Sequence, residues 1–389
     1  MQTRIAPWRQ AFLRGTAALT AILTVFTIRP GYSEPGDIFT IPAPAIGADP
    51  PKAQDIKAGD ATVSTQTGAL EYSYPIAVPP GRNGMAPQLT LAYSSQAPTY
   101  GGIAAGWSLP IPMISEDRSY GRMENRSLEL EQTQIDPKAD DRFVSSMAGG
   151  RPLVVVDEPG GVESTVYKSY RAQGDTSWTR YERMNSSVGY RWRARTTDGI
   201  VHMFGNAARM PGCPVSDQFA PLTDSVDPFG NAVSYDYSWL AGECVLTKIR
   251  YGQSPSTNAF AQIDFIVKRS RTCQGIESGS QSDYRTGVKI VTGANQVDQI
   301  NVRAIDPATS ATVHTRRYVL SYDTSTDRCD QDHAPFRQLN SIQQSAWGID
   351  SPQVDLPPIT FGYNNATTTL NTVYWFGVNE TALVDGYTG

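Results

Sequence analysis

Three histidines and four cysteines are the whole supply of imidazole and thiol in this 389-residue chain, so metal or nucleophilic chemistry must be built from these and from carboxylates. His202, His314 and His333 stand on a strand, a strand end and a loop, without the spacing that gathers ligands round one ion. Each reads as a satisfied structural side chain. Asp323, Asp327, Asp330 and Asp332 crowd together but lack the Asp-x-Asp-x-Asp-Gly order of a calcium loop. The Gly-x-Ser-x-Gly elbow, the phosphate loop, His-Glu-x-x-His, Cys-x-x-Cys and Gly-x-Gly do not occur. General acid–base and covalent catalysis both need a positioned pair of groups. No catalytic residue, cofactor or metal is therefore expected.

One pattern has an enzymatic precedent. Toxin-type ADP-ribosyltransferases combine an Arg, a Ser-Thr-Ser strand and a Glu-x-Glu loop, and this chain carries Ser64-Thr65-Gln66 and Glu129-x-Glu131. The third strand residue is Gln66, and the upstream arginines all precede residue 34. Glu129 and Glu131 thus read as a solvated strand face. Arg191, Arg193 and Arg195 alternate with Tyr190, Trp192 and Ala194. They read as the water-facing side of a strand rather than an anion or glycan site.

The elements that would position any of these groups are strands. The chain has 33 glycines, 27 prolines and 19 tyrosines, with 18% charged residues against a usual ~25%. Period-two alternation puts Leu70, Tyr72, Tyr74 and Ile76 on one strand face and Leu89, Leu91 and Tyr93 on the next. Hairpins are predicted at residues 152–167 around a Pro-Gly-Gly turn, and at 190–204 around Asp198-Gly199. A Pro-Phe-Gly-Asn turn precedes alternating Val233, Tyr235 and Tyr237. No amphipathic helix with caps is found. The expected fold is all-β, an extended antiparallel sheet or β-sandwich-like shell. Strands from Leu70, Leu89, Tyr190 and Ile200 are expected to leave edges that something must cover.

Residues 1–33 have the layout of a signal peptide: Arg4, Arg9, Arg14 and Arg29, no acid, and the apolar run 16–28. A predominantly apolar run of thirteen residues falls short of the ~20 a spanning helix needs. Cleavage is expected after Ser33, giving a secreted, extracellular or periplasmic protein with no membrane insertion. Losing four arginines moves the net charge from -5 to -9, which disfavours nucleic acid as a partner. Residues 34–60, with five prolines, read as a stiff linker. Residues 61–363 read as the β domain and 364–389 as the start of a following, truncated segment. In an oxidising compartment Cys213, Cys244, Cys273 and Cys329 read as two disulfides, with free buried thiols as the alternative. Adjacency in sequence favours Cys213–Cys244 and Cys273–Cys329.

The stretch from Gly68 to Arg122 resembles the amino-terminal domain of the SpvB (virulence-plasmid protein B) family, which also opens the B components of insecticidal toxin complexes. Its marks are Pro75-Ile76, Pro79-Pro80-Gly81-Arg82, Gly84, Pro87, Tyr93-Ser94-Ser95 and Gly106-Trp107-Ser108-Leu109. Asp227-x-x-Gly230-Asn231 is similar to turns of that family and of tyrosine-aspartate (RHS) repeat proteins. The resemblance covers about residues 60–363, with one departure, Ala220-Pro221, where an aromatic is expected. It implies a non-enzymatic structural wall that helps enclose or present a toxic polypeptide. The partner it implies is the remainder of a toxin-complex B or RHS shell, or another toxin-complex subunit. Pro79, Pro80, Gly81 and Gly84 would set turns, and Trp107 would be a buried anchor. The alternative reading is a surface adhesin or glycan-binding β module using exposed Tyr and Trp.

Overall fold

The computed structural model describes residues 59–97, 102–117, 143–156, 163–185, 187–217, 219–255, 257–269, 272–273, 276–277, 281–283, 290–306, 309–323, 337–348 and 352–363. A small antiparallel sheet comes first, from β1 (Asp60–Val63), β2 (Leu70–Pro75), β3 (Thr90–Ser94) and β4 (Trp107–Ser108) in that order. Tyr74, Ile76, Leu89 and Leu91 are buried as the alternation requires. Leu70 sits at the outer end of its strand and stays 46% exposed.

Eight strands then close on themselves. They are β5 (Met113–Glu116), β6 (Phe143–Ser145), β7 (Arg151–Val155), β8 (Val166–Ala172), β9 (Arg180–Met184), β10 (Trp192–Arg195), β11 (Val201–Phe204) and β12 (Phe219–Val226). Each pairs antiparallel with the next, and the first half of β12 returns to β5 through Phe219↔Ser115, Ala220↔Ile114 and Pro221↔Met113. An eight-stranded barrel has an interior that side chains just fill. Phe143, Tyr170 and Trp192 meet there with ring centroids 4.7 to 6.1 Å apart, above fully buried Ile114, Ala194 and Phe204.

Pairing corrects the expectation of open edges on the strands from Leu70, Leu89, Tyr190 and Ile200: β2, β3, β10 and β11 are each paired on both sides. The expected strand at 162–167 also shifts. Residues 164–165 form a turn, and β8 begins at Val166.

The second half of β12 pairs with β13 (Ala232–Leu240), so this one strand is the seam between barrel and open sheet. Next in chain order are β14 (Glu243–Gln253), β15 (Ala261–Arg269), the short ribbons β16 (Thr272–Cys273) with β17 (Ile276–Glu277) and β18 (Gln281–Asp283) with β19 (Ile290–Thr292), then β20 (Asn295–Ile305), β21 (Thr312–Asp323), β22 (Gln338–Ala346), β23 (Val354–Asp355) and β24 (Ile359–Thr360). The open sheet runs β13-β14-β15-β20-β21-β22, with β23 and β24 each on part of β22. Its inner face carries Ile249, Tyr251, Ile263, Ile300, Val302, Tyr318 and Ile342, all buried.

The small sheet covers that face. Tyr74 meets Tyr318 edge-on at 6.0 Å, the Ala77 N–H donates to Tyr318 Oη at 2.9 Å, and Tyr251 Oη donates to the Pro79 carbonyl at 2.8 Å. The architecture is all-β: a sandwich of two sheets joined to a closed barrel. Among the described residues helix is confined to 3-10 turns at Arg82–Gly84, Ser146–Ala148 and Ala207–Arg209, and none is long and apolar enough to cross a membrane.

Candidate functional site

Two turns that the sequence singled out, far apart in the chain, meet at one end of the sandwich. In Pro79–Gly84 the chain doubles back so tightly that a Cβ on Gly81 would stand 1.9 Å from the Met85 carbonyl oxygen, which leaves glycine as the residue that fits. Pro80 is exposed, Asn83 is left-handed at φ 51, and the Gly84 N–H donates to the Gly81 carbonyl at 3.2 Å. Arg82 then reaches out. Its Nε donates to the Gly252 carbonyl at 2.9 Å, and its guanidinium lies 5.6 Å from the Phe260 ring centre.

Asn83 donates to Asp227 Oδ2 at 3.5 Å and so joins the second turn. Asp227 organises that turn: Oδ1 accepts from the N–H groups of Phe229 and Asn231 at 2.9 and 2.8 Å, and Oδ2 from Asn231 Nδ2 at 2.7 Å. The Gly230 N–H donates to the Asp227 carbonyl at 3.0 Å. Burial pushes the Asp227 carboxyl up, but the hydrogen bonds from Asn231, Asn83 and Phe229 outweigh it and hold the group below the usual carboxylate range. The motif residues satisfy one another.

Trp107 lies at the other end of the small sheet, 1% exposed. Its Nε1 donates to Tyr363 Oη at 2.8 Å, which in turn donates to the Leu339 carbonyl at 2.8 Å. Rings of Phe361, Tyr93 and Tyr72 surround it at 4.8, 5.3 and 5.9 Å. Gly106 before it has φ 75, and a Cβ there would come within 2.6 Å of the Tyr93 ring.

Near this corner is a buried polar knot the sequence did not reveal. Glu243 accepts from the Gly293 N–H at 3.0 Å and from both the N–H and Nδ2 of Asn295 at 2.9 Å. Arg337, also buried, donates Nε to the Ile103 carbonyl at 2.9 Å and Nη2 to the Asn295 carbonyl at 3.2 Å. Burial raises the Glu243 carboxyl above its ordinary range, and the Asn295 and Gly293 hydrogen bonds with the Arg337 charge offset only part of that. No local spacing signals such a knot, because its members come from β14, the start of β20 and the residue before β22.

A third device spans the seam. The loop between β11 and β12 carries Arg209, which contacts Asp224 on β12 at 3.1 Å and Asp236 on β13 at 3.2 Å. Four residues on, Cys213 is disulfide-bonded to Cys244 on β14, with Cα atoms 5.4 Å apart. Cys329 lies outside the described residues, as does any pairing of Cys273 with it.

The arginine stripe is not the open water-facing side that was expected. Glu182, 0% exposed, lies beneath it and is bound by Arg180 at 2.9 Å, Arg195 at 3.3 Å and Arg193. Glu163 bridges Arg193 and Arg195 from the loop before β8 at 2.9 and 2.6 Å. Alternation located the face, but only the β8–β9–β10 pairing puts acids against it. His202 Nδ1 is 2.8 Å from Ser225 Oγ, and burial lowers its pKa. His314 packs on Trp347 at 5.2 Å, and its Nδ1 makes no hydrogen bond. Ser64 sits in the turn after β1 rather than on a strand, while Glu129, Glu131, His333, Asp327, Asp330 and Asp332 lie outside the described residues. Among the described residues no group of three His, Cys, Asp or Glu side chains is placed to hold a metal.

Residues 64–287 match the family described as Salmonella virulence plasmid 65kDa B protein. The fold is similar to that of TcdB2-TccC3, with TM-score 0.59 and 20% identity over 78% of this chain and 17% of that one. It is similar to the N-terminal domain of effector protein SpvB from Salmonella typhimurium strain LT2, with TM-score 0.52 and 20% identity over 70% of this chain and 98% of that one. A third likeness is to the Photorhabdus luminescens Tc holotoxin pore, with TM-score 0.57 and 20% identity over 79% of this chain and 16% of that one. The chain thus spans about a sixth of the toxin-complex chains it matches. No curated protein sequence matches it. None of these likenesses favours the adhesin reading.

Proposed function

The chain belongs to the SpvB family, and from that premise we propose that it is an exported, non-catalytic wall module of a toxin-complex-type assembly, helping to enclose or present a toxic polypeptide. The observation that carries this reading is the interlock of the Pro79–Gly84 and Asp227–Asn231 turns. Groups that would be reactive in an open cleft are occupied there in fixing the backbone. A wall needs turns at fixed places and a rigid filled core, and Asp227, Glu243, Arg82 and Trp107 all serve that end. Its partners on this reading are the remaining shell or another toxin-complex subunit.

Export and lack of catalysis are tested together. Mass spectrometry of the extracellular or periplasmic fraction should find a new amino terminus within a few residues of Glu34, and peptide mapping without reductant should find Cys273 joined to Cys329. The same purified protein, given labelled NAD and a host-cell lysate, should transfer no label. Transfer that is lost in Glu131→Gln would overturn the non-catalytic reading.

A further inference from the structure

Trp178 is the one large aromatic in the described residues that the fold holds outward with its backbone in the left-handed region, at φ 58 and 73% exposed. A bulky residue at positive φ is a genuine outlier with a strained backbone. It persists where the surroundings over-determine it, and here they do. In the β8–β9 loop the Asp175 carboxylate accepts from the Ser177 N–H at 3.0 Å and from the Ser177 hydroxyl, and Ser177 Oγ lies 2.9 Å from Thr179 Oγ1. Arg171 Nη1 donates to the Trp178 carbonyl at 2.6 Å, and Arg151 Nη1 to the Gly174 carbonyl at 2.9 Å. The indole itself makes no hydrogen bond, ring contact or cation–π contact with a described residue. The loop is therefore rigid, strained, and built round a side chain that contributes nothing to the fold.

We infer that Trp178 is the anchor of an interface, inserting into an apolar pocket rimmed by carboxylates on another polypeptide of the same assembly. Trp and Arg are the residue types that dominate interface energetics, and a side chain already fixed in its bound conformation loses little entropy on docking. Charge chooses the rim. Arg151 and Arg171 stand at the foot of the loop with one Nη each engaged by a carbonyl, while Asp175 turns its carboxylate inward to Ser177. The chain as a whole carries -5, so an acid-rimmed pocket is repelled elsewhere and steered to this foot. Val154, paired with Arg171 across β7–β8 and exposed, extends the apolar contact.

This inference rests on the assembly reading above, and its test separates the two. Trp178→Gly is introduced into the full chain in the cell that produces it. Glycine accepts φ 58, so the melting temperature should hold or rise, while the fraction of chain recovered in assemblies should fall at least about tenfold. A photo-reactive benzoylphenylalanine at position 178 should cross-link to a different polypeptide, at a segment whose apolar residues are flanked by Asp or Glu. Assembly unchanged in Trp178→Gly, or cross-links to lipid or to a second copy of this chain, overturns the anchor alone. A wild-type chain recovered only as monomer overturns the anchor and the assembly reading together.

Discussion

Trp107 is buried and His202 half-buried, and their substitution reads out differently. Trp107 is held by the rings of Tyr72, Tyr93 and Phe361 and by one hydrogen bond to Tyr363. Trp107→Ala should cost about 3–5 kcal/mol in urea denaturation, and an unchanged midpoint would show that the corner does not anchor the small sheet. His202 is held neutral by burial, which lowers its folded-state pKa below the ordinary value near 6.5. A depressed folded pKa means the unfolded chain binds the proton more readily, so this contribution is present above about pH 6.5 and is lost as pH falls through the folded value. The denaturation midpoint should therefore fall between about pH 7.5 and about pH 5.5, and should fall less in His202→Gln. Equal slopes in the two proteins would contradict this.

Among the elements, the local ones were legible in the sequence and the distant ones were not. The Asp198-Gly199 hairpin and the strand after Asp227–Asn231 follow from turn chemistry carried within a few residues, and both form. Barrel closure was hidden, because β5 and β12 are joined by residues about a hundred positions apart, and a period-two strand reads the same in an open sheet and a closed one. Closure also explains the departure at Ala220. This side chain is fully buried opposite Ile114, with no room for an aromatic. The acids set against the arginine stripe, Glu182 and Glu163, and the Glu243 knot were unreadable for the same reason as the closure: their partners lie on other strands.

The seam strand β12 makes the disulfide testable at this scale. Cys213–Cys244 spans 31 residues across the barrel–sheet junction, so replacing both cysteines by serine should cost about 3.5 kcal/mol by loop-closure entropy. If the Arg209 contacts to Asp224 and Asp236 alone hold the loop, calorimetry will find no loss.

At the scale of the whole molecule, the family and the all-β class could be read from the chain, since the turn motifs of residues 68–122 form an ordered string. The sandwich-plus-barrel arrangement could not, because it depends on which sheet covers the inner face of β14–β22, and Tyr318 and Tyr251 reveal that only when folded. The account's central claim is that this module works as a wall within something larger. The most direct test is the native mass of the protein isolated from its own producing cells, by sedimentation velocity with antibody detection. A wall module should sediment in a particle several times the 42.4 kDa of this chain; a single species at or below that mass, active by itself on a host target, would contradict the claim.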